Sequence, residues 1–360
     1  MNISVFKNSI LAIMSAALIA ASNPPDAEEP FDITLAFAGD INFDDTQGTM
    51  ATLKNHGGDL SSVIDSEYLR LMNDADIMWI NNEFTYSLRG APLNGKMYTF
   101  RANPDNVNYL HEMGVDIVGL ANNHVYDYGK DALIDTLSTL QDAGIPYVGA
   151  GMNLSEASAP VYLKAGDITV AYVAASRAEK FQMTPQATET EPGILRCYDN
   201  ELFLESIREA RKNADFVIAL PHWGTEYSTV LEAAQITGAK EYIDAGADAV
   251  VGAHTHCVQG FEYYDGKPIV YSMGNYWFNG KPLETMLVEL HISGKAYKNP
   301  FKASDSLSCE IDDVKLRIVP GTQISFITKP AATHEDCRRI LDYLESISVN
   351  VTIDDDGIVH

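Results

Sequence analysis

From about residue 30 onward, short apolar runs rich in β-branched residues alternate with stretches of helical periodicity. This alternation is typical of an α/β domain, in which helices cover a sheet. Five of the apolar runs end in polar clusters: ITLAFAGDIN (33–42), ADIMWINNEF (75–84), VDIVGLANNH (115–124), DFVIALPHWGTE (215–226) and ADAVVGAHTH (247–256). In open α/β sheets the ligand crevice lies beyond the carboxyl ends of the strands, so these five tails are predicted to meet in one place.

The helical stretches are predicted to pack on the sheet. Residues Asp131–Ala143, for example, repeat leucine at helical spacing and are followed by Gly144, a usual residue just after a helix. We expect a core domain at 32–300 and a C-terminal extension, 301–360, packed on the same domain.

Within that extension the pattern predicts strands at 315–320 and 323–330 and a helix from Thr333 to Ser346. Thr333 and Asp336 have the spacing of a helix N-cap. The segment 180–192, rich in Pro, Thr and Glu, is predicted to be an exposed loop that borders the site.

The polar tails contain the side chains that commonly bind metal ions. Alternate residues of an extended segment point the same way, so His254 and His256 are predicted to present both rings on one side, as Asp40 and Asn42 do with their side chains. Glu83, between these pairs, is placed to bridge two ions about 3.5–4 Å apart. Mixed nitrogen and oxygen ligation favours Mn²⁺, Zn²⁺ or Fe over Mg²⁺ or Ca²⁺.

Each of these residues also has an ordinary structural explanation. A histidine at a strand end is commonly a hydrogen-bonded structural residue, and Asp40 could cap a helix. Asn81-Asn82 and Asn122-Asn123 could be turn residues in left-handed backbone. The occurrence of matched polar groups at five strand ends favours the metal site over these separate explanations.

Composition narrows the classes of partner. The chain has 50 acidic and 25 basic residues among 360, a formal charge of −25. This charge argues against nucleic acid or an anionic membrane surface as the main partner and favours cations. The four cysteines are widely spaced without a CxxC pair, so no zinc knuckle or thioredoxin-like site is indicated. Cys309 and Cys337 form a disulfide or stay as thiols; the spacing leaves both open.

The first 22 residues have the layout of a secretory signal peptide. Lys7 precedes an apolar run from about Ile10 to Ala21, and a polar, Pro-rich segment, 23–31, follows as a linker. The run is shorter than the roughly 20 residues of a spanning helix, although a short uncleaved anchor is the alternative. We therefore expect an extracytoplasmic protein: secreted, periplasmic or anchored at the outer face of the membrane.

Several of these strings resemble one protein family. The chain resembles the CapA, or poly-γ-glutamate capsule, family of capsule-synthesis proteins, a branch of the calcineurin-like metallophosphoesterases, from about residue 32 to the end. The resemblance implies a four-layer αββα sandwich of two mixed sheets with helices outside. The strings that carry it are AGDINF (38–43), NNEFTYS (81–87), ANNHVYDYG (121–129), PHWGTEY (221–227) and GAHTHCVQGFEYYDGKPIVYSMGNYWF (252–278).

The resemblance also implies a site for two divalent ions. By position, Glu83 resembles the bridging carboxylate, and His124 resembles the residue that protonates the leaving oxygen. The other implied ligands are Asp40, Asn42 and His256 for the first ion and Asn123, His222 and His254 for the second. The superfamily usually has Asp-x-His and a bridging aspartate at these positions, so the amide of Asn42 and the longer Glu83 imply a weaker first site and a different substrate.

Five more residues are candidates for substrate contact: Arg101, Trp223, Glu226, Tyr227 and Asn275. Arg101 has the bidentate fork that receives a carboxylate or phosphate, but a surface arginine is an equal alternative. Glu226 is expected either to line the cleft or to hold an imidazole. Asn275 follows a strand and is expected to face the site.

Two functions are consistent with the sequence. One is a metal-dependent hydrolase that cleaves a phosphoester or a γ-glutamyl amide in poly-γ-glutamate, capsule or envelope metabolism. The other is a non-catalytic accessory protein of membrane-associated poly-γ-glutamate synthesis or export. The substrate would be an anionic polymer or a small molecule, and nucleic acid is not expected.

Overall fold

The structure is a computed structural model that describes residues 28–46, 48–179, 183–298 and 307–360. The predicted signal peptide, most of the predicted linker and residues 180–182 of the predicted loop lie outside the described residues. Among the described helices, none is long and apolar enough to cross a membrane.

The strands follow the apolar runs of the sequence. In chain order they are β1 (Glu29–Ile41), β2 (Ile77–Asn82), β3 (Thr85–Tyr86), β4 (Arg101–Ala102), β5 (Ile117–Gly119), β6 (Tyr147–Val148), β7 (Ala150–Gly151), β8 (Val161–Ala165), β9 (Ile168–Ser176), β10 (Gly193–Ile194), β11 (Phe216–His222), β12 (Ala249–Val251), β13 (Phe261–Tyr264), β14 (Lys267–Val270), β15 (Asn275–Trp277), β16 (Leu283–Lys298), β17 (Leu307–Ile324) and β18 (Ile327–Pro330).

The helices lie mostly between the strands. They are α1 (Gly48–Asn55), α2 (Ser66–Asp74), α3 (Asn108–Glu112), α4 (Lys130–Asp142), α5 (Leu154–Ala157), α6 (Glu201–Asn213), α7 (Ala233–Ala245) and α8 (His334–Ser346). The helix predicted at 131–143 is confirmed as α4, and its leucines are buried. The helix predicted after Thr333 is confirmed as α8, because the Thr333 side chain accepts the Asp336 N–H.

The strands form two large mixed sheets. The first has the order β18-β17-β16-β1-β2-β5-β6, with β15 beside the end of β1, and the second has the order β13-β14-β12-β11-β9-β8. In the first sheet β1, β2, β5 and β6 are parallel, whereas β16, β17 and β18 are antiparallel. In the second, β9, β11, β12 and β14 run parallel.

The two sheets pack face to face, with helices outside. Alternate residues of a strand point to opposite faces: Phe37 of β1 contacts Tyr172 of β9 between the sheets, at 6.5 Å between ring centroids. Ala36 and Ala38 belong to the outer core that α2 and α4 cover. On the second sheet, Val217 belongs to the outer core with α6 and α7. The four-layer αββα sandwich is therefore confirmed.

The C-terminal region belongs to the first sheet. β17 pairs with β16 over nearly its whole length and with β18 on its other side. One predicted strand, 323–330, is wrong as a single element, because Ser325 and Phe326 have φ of 51° and 66° and form a tight turn. At the other end, β1 begins at Glu29, inside the predicted linker, because its first residues pair with β16.

Candidate metal centre

Strand ends from both sheets meet at one end of the sandwich. Asp40 lies near the end of β1, Glu83 follows β2, and His222 ends β11. Asn123 and His124 follow β5 by a short turn. A register shift in β1 at Asp40 redirects the strand there. The predicted convergence of the polar tails is thus present in the fold.

Two groups of buried side chains at this place have the composition of metal sites. In one, Glu83, His222 and His254 offer ligand atoms within 4.8 Å of one another, and in the other Asp40, Glu83 and His256 do so. Glu83 is common to both groups. We call these five residues the ligand cluster.

The ligand cluster fits divalent ions. Glu83 Oε1 and His254 Nδ1 are fully buried without a hydrogen-bond partner. Glu83 Oε1 lies 3.7 Å from His222 Nε2 and 3.8 Å from His256 Nε2, too far for hydrogen bonds. A buried polar atom without a partner is costly, and a cation bound by Glu83 and His254 would give a partner to both of these unpaired atoms. The donor set of carboxylate and imidazole suits Zn²⁺, Mn²⁺ or Fe.

Burial and neighbouring charges set the protonation of the ligand cluster. Burial, together with the Asp40 carboxylate, raises the pKa of Glu83 well above its usual value. Burial also lowers the pKa of His254 to about 3, with the His256 charge as a further cause, and lowers that of His222. Neutral imidazoles keep the lone pair that a metal requires.

Asp40 and His256 stabilise each other's charged forms. Burial alone would raise the pKa of Asp40, but the hydrogen bond and charge of His256 outweigh it, so the pKa is lowered. Burial would likewise lower the pKa of His256, and Asp40 raises it instead. Asp40 Oδ2 lies 3.1 Å from His256 Nδ1, and Asn275 Oδ1 lies 2.8 Å from the same nitrogen.

An amide that the sequence analysis treated as a turn residue orients the carboxylates. Asn81 Nδ2 donates to Asp40 Oδ1 at 2.7 Å and to Glu83 Oε2 at 3.0 Å. Asn81 Oδ1 in turn accepts from Asn122 Nδ2 at 3.1 Å. The Asn-Asn pairs at two neighbouring strand ends were the available signal. Buried carboxylates need such donors, and these residues supply them.

His124 is held beside the ligand cluster. Its Nδ1 lies 2.7 Å from Asp127 Oδ2, and its Nε2 lies 3.9 Å from Glu83 Oε1. Asp127 also pairs with Lys96 at 2.8 Å, and Lys96 pairs with Glu179 at 2.9 Å. The Lys96 side chain is nearly buried and donates to the Asn123 carbonyl. Asp127 and Lys96 are supporting residues that sequence analysis missed. Asp127 lies three residues after His124, so its spacing was an available signal, whereas nothing local marks the contacts of Lys96.

His254 and His256 are not on an extended segment. The strand ends at Val251, and both histidines have positive φ, 102° and 55°. The prediction that strand alternation would bring the two rings together is therefore wrong. Both rings reach the ligand cluster from irregular backbone beyond the strand. Non-glycine residues in this backbone region are strained, and such strain is concentrated at functional sites.

The two asparagines of the predicted ligand set differ in their contacts. Asn123 Oδ1 lies 2.8 Å from His222 Nε2, which places its amide beside the group of Glu83, His222 and His254. Asn42 Oδ1 accepts the Asp44 N–H at 2.8 Å, and its Nδ2 is buried without a partner.

A cleft of about 200 Å³ opens above the ligand cluster. His124 and His256 form part of its floor, and Glu226 and Tyr227 line it as the sequence suggested. The complete lining consists of Asn42, Tyr98, Phe100, His124, Glu226, Tyr227, His256, Phe278, Asn279, Lys281 and Phe326.

Three of the substrate candidates do not line this cleft. Trp223 is fully buried against Tyr242, and its indole N–H donates to a backbone carbonyl, so its role is packing. The Arg101 guanidinium stacks on Tyr128, 4.2 Å from the ring centroid. Asn275 is fully buried and contacts His256 instead. The surrounding core sets the direction of these side chains, and Asn275 faces the site, as expected, through its contact with His256.

Comparison with known proteins gives matches over much of the chain. The capsule biosynthesis protein CapA of Bacillus anthracis is 34% identical over 246 residues, covering 66% of this chain and 55% of that protein. The PGA biosynthesis protein CapA of Bacillus subtilis is 34% identical over 196 residues, which cover 53% of this chain and 51% of that protein. The chain thus spans about half the length of the curated relatives it matches.

One solved structure with a related arrangement is a novel phosphatase from Mycoplasma pneumoniae. It is 13% identical, has a TM-score of 0.46, and the match covers 82% of this chain and 96% of that one. The sequence profile for "Bacterial capsule synthesis protein PGA_cap" matches residues 34–280, which include every residue of the ligand cluster. The chain therefore belongs to the PGA_cap family of bacterial capsule synthesis proteins.

Proposed function

We propose that this protein is an extracytoplasmic, metal-dependent hydrolase that acts on a capsule polymer such as poly-γ-glutamate or on a related envelope compound. The observation that carries the proposal is the sharing of Glu83 by two buried carboxylate–imidazole groups, one of which includes His256 on the lining of an open cleft. Two divalent ions in these groups would supply the Lewis acidity that hydrolysis of a phosphoester or an amide requires.

The residues of the chain would hold the reacting groups and move one proton. Asp127, hydrogen-bonded to His124 Nδ1, orients the ring so that its Nε2 atom faces Glu83. His124 Nε2 is then placed to donate a proton to the leaving oxygen or nitrogen. The Phe100 ring packs on the His124 ring, with 4.4 Å between the ring centroids, and limits the rotation of the imidazole.

The polymer substrate is inferred from the family and from the names of the relatives. The CapA proteins of two Bacillus species are named for PGA or capsule biosynthesis. The location of the protein outside the cytoplasm is inferred from residues 1–22, which have the layout of a signal peptide. Both parts of the proposal are open to direct measurement on the purified, mature protein.

A non-catalytic accessory role in polymer synthesis or export is the second candidate. One contact favours it: the Asn42 oxygen is already engaged by the Asp44 N–H, whereas the superfamily usually places an imidazole there. An amide oxygen is a weaker ligand than imidazole, so the first ion would be held less tightly. A partner in membrane-associated synthesis machinery would then use the site for binding without turnover.

Metal content and turnover, measured together, decide between these functions. We would measure bound metal in the mature protein and in His254→Ala, with His291→Ala as a matched control, because His291 lies on β16 with Glu289 and Thr34 as its partners. Hydrolysis of a generic phosphodiester and of a γ-linked glutamate oligomer would be assayed with Mn²⁺. About two ions per chain and turnover, both reduced only in His254→Ala, support the hydrolase. Bound metal without turnover of either substrate supports the accessory role, and no bound metal contradicts both metal-based functions.

A further inference from the structure

One wall of the cleft is built by residues that lie beyond the family match. The match ends at residue 280, and Lys281 and Phe326 both line the cleft. Phe326 belongs to the turn between β17 and β18, a region in which the sequence analysis found no chemistry. We call Lys281 and Phe326 the outer wall.

Phe326 is held in an unusual position. It and Ser325 have positive φ, a conformation in which hairpin turns normally place Asn or Gly. The ring lies against Gly48 and Gly280. A Cβ atom added to Gly48 would come within 2.0 Å of a ring carbon, and one added to Gly280 within 2.9 Å. The Phe326 carbonyl accepts the Trp277 indole N–H at 2.8 Å. The fold thus maintains a strained turn that places an aromatic ring at the cleft.

The loop that carries Lys281 is also fixed from beneath. The buried Gln323 accepts the Phe278 N–H at 2.7 Å and the Asn279 N–H at 3.2 Å through its Oε1. Its Nε2 donates toward Asn279 Oδ1 and the Lys281 carbonyl at 3.3 and 3.4 Å. Because one buried side chain holds four groups of the loop, the position of Lys281 at the cleft is defined by the fold.

The Lys281 ammonium is available to an anion. Its Nζ lies 3.5 Å from the centroid of the Tyr227 ring, and no carboxylate of the described residues pairs with it within 4.0 Å. Other lysines of this acidic protein, such as Lys54 and Lys130, do pair with carboxylates. Among the described residues that line the cleft, Lys281 alone carries a lysine or arginine charge.

Aromatic side chains line the cleft together with Lys281. Phe278 and Phe326 contribute apolar ring surface to the described lining, and Glu226 contributes a carboxylate. The cleft therefore offers a cation and an aromatic surface together.

We propose that the outer wall is a subsite for a carboxylate on a short aliphatic chain, as in a γ-linked glutamyl unit. Lys281 binds the carboxylate as a charge-assisted pair, and Phe326 packs against the methylene groups. Naming the glutamyl unit rests on the proposed function. The binding itself involves residues of this chain that are outside the ligand cluster and does not require the ions.

The test uses small probes on the metal-free, full-length mature protein. Calorimetry would give the affinity for glutarate, for its neutral diamide and for inorganic phosphate. We expect Lys281→Met to weaken glutarate binding about tenfold, as for loss of a charged hydrogen bond, and to leave diamide binding unchanged. Lys281→Arg should retain most of the affinity, and Lys164→Met, at an exposed position of β8, is the matched control.

A second variant tests the aromatic part. Phe326→Gly suits the positive φ of the turn, so the fold should be retained, and we expect weaker binding of both glutarate and its diamide. Equal glutarate affinity in wild type and Lys281→Met would overturn the proposal. Tighter binding of phosphate with the same dependence on Lys281 would replace the glutamyl unit by a phosphate group and also overturn it.

Failure of the proposed function would look different. In that case the protein supplied with excess divalent metal would hold none and would hydrolyse neither substrate. Binding of glutarate to the metal-free protein, dependent on Lys281, would persist. The two results are measured in separate experiments.

Discussion

The floor and the outer wall of the cleft are built in opposite ways. In the floor, by which we mean the ligand cluster beneath the cleft and the residues that support it, Asp40 and Glu83 are completely buried, and the Asn81 amide donates to both carboxylates. In the outer wall, Lys281 is exposed and Phe326 is half-buried, and only their backbone is held by buried groups. The floor lies within residues 34–280, and the outer wall lies beyond them.

This difference in burial predicts that substitutions will have different effects in the two regions. Buried charged groups must have partners or bind an ion, so a change in the floor affects several side chains at once. Exposed groups are hydrated already, so a change in the outer wall affects little beyond itself. We therefore expect floor variants to alter metal binding and stability, and outer-wall variants to alter the choice of substrate.

The largest expected effect is at the residue that both metal groups share. Glu83→Gln should weaken metal binding in both groups by more than about 100-fold, beyond the 10–100-fold typical of residues that only orient a ligand. Asp40→Asn belongs to one group and should leave the other occupied. Metal analysis after dialysis measures both. Retention of one tightly bound ion by Glu83→Gln would show that this carboxylate is not shared.

The buried cation beside the floor should dominate stability. Lys96→Met leaves Asp127 and Glu179 without their cation, and breaking such a buried pair costs about 3–5 kcal/mol of unfolding free energy. Lys130→Met breaks an exposed pair with Glu191 and should cost far less. Urea denaturation of the metal-free protein compares them. Similar losses in the two variants would contradict the distinction between buried and exposed pairs.

Acid should destabilise the metal-free floor through its neutral histidines. The unfolded chain protonates an imidazole below about pH 6.5, whereas the folded His254 does so only near its pKa of about 3. Its contribution to stability is therefore present above pH 6.5 and is lost as the pH falls toward 3, at about 1.4 kcal/mol per pH unit.

The raised pKa of Glu83 acts in the opposite direction, because the unfolded carboxyl ionises at lower pH than the folded one. Comparison of wild type with His254→Gln isolates the histidine. Urea denaturation at several pH values between 4 and 6 should show a smaller pH dependence of the unfolding free energy in the variant. The same pH dependence in both proteins would show that His254 titrates normally.

The smallest expected effect lies at the cleft mouth. Tyr227→Phe removes a hydroxyl that accepts from Asn279 Nδ2 at 3.3 Å and leaves the ring under Lys281. Because both groups are exposed and water replaces the bond, we expect stability to change by about 0.5 kcal/mol or less. Thermal denaturation measures this change. A loss as large as that of Lys96→Met would show that the mouth is as tightly coupled as the floor.

Much of the floor could be predicted because strand ends carry a local signal. Asp40, Glu83, His222, His254 and His256 each follow an apolar run, and parallel strands bring such ends together. The support by Asn81 and Lys96 could not be predicted in the same way. The contacts of Asn81 with Asp40 and of Lys96 with Asp127 join residues far apart in the chain, and an asparagine at a strand end has an equally good local role in a turn.

The structure of the outer wall could not be predicted from local sequence patterns. The apolar residues of 323–330 predicted one strand, but the structure turns at Ser325 and Phe326 because the ring packs on Gly48 and Gly280. Trp223 shows the reverse case, since a residue next to His222 in sequence points into the core. Neither outcome has a signal in the neighbouring residues.

The sequence by itself determined the alternation of strands and helices, the polar tails and, through family resemblance, the sandwich and the candidate ligands with Glu83 between two groups, because these depend on residue type and spacing. Only the tertiary structure decided that Asn81 orients two carboxylates and that Lys281 and Phe326 reach the cleft. The physical reason is that two sheets and the turn between β17 and β18 meet there. Packing between distant segments, which spacing along the chain does not encode, sets the direction of each side chain.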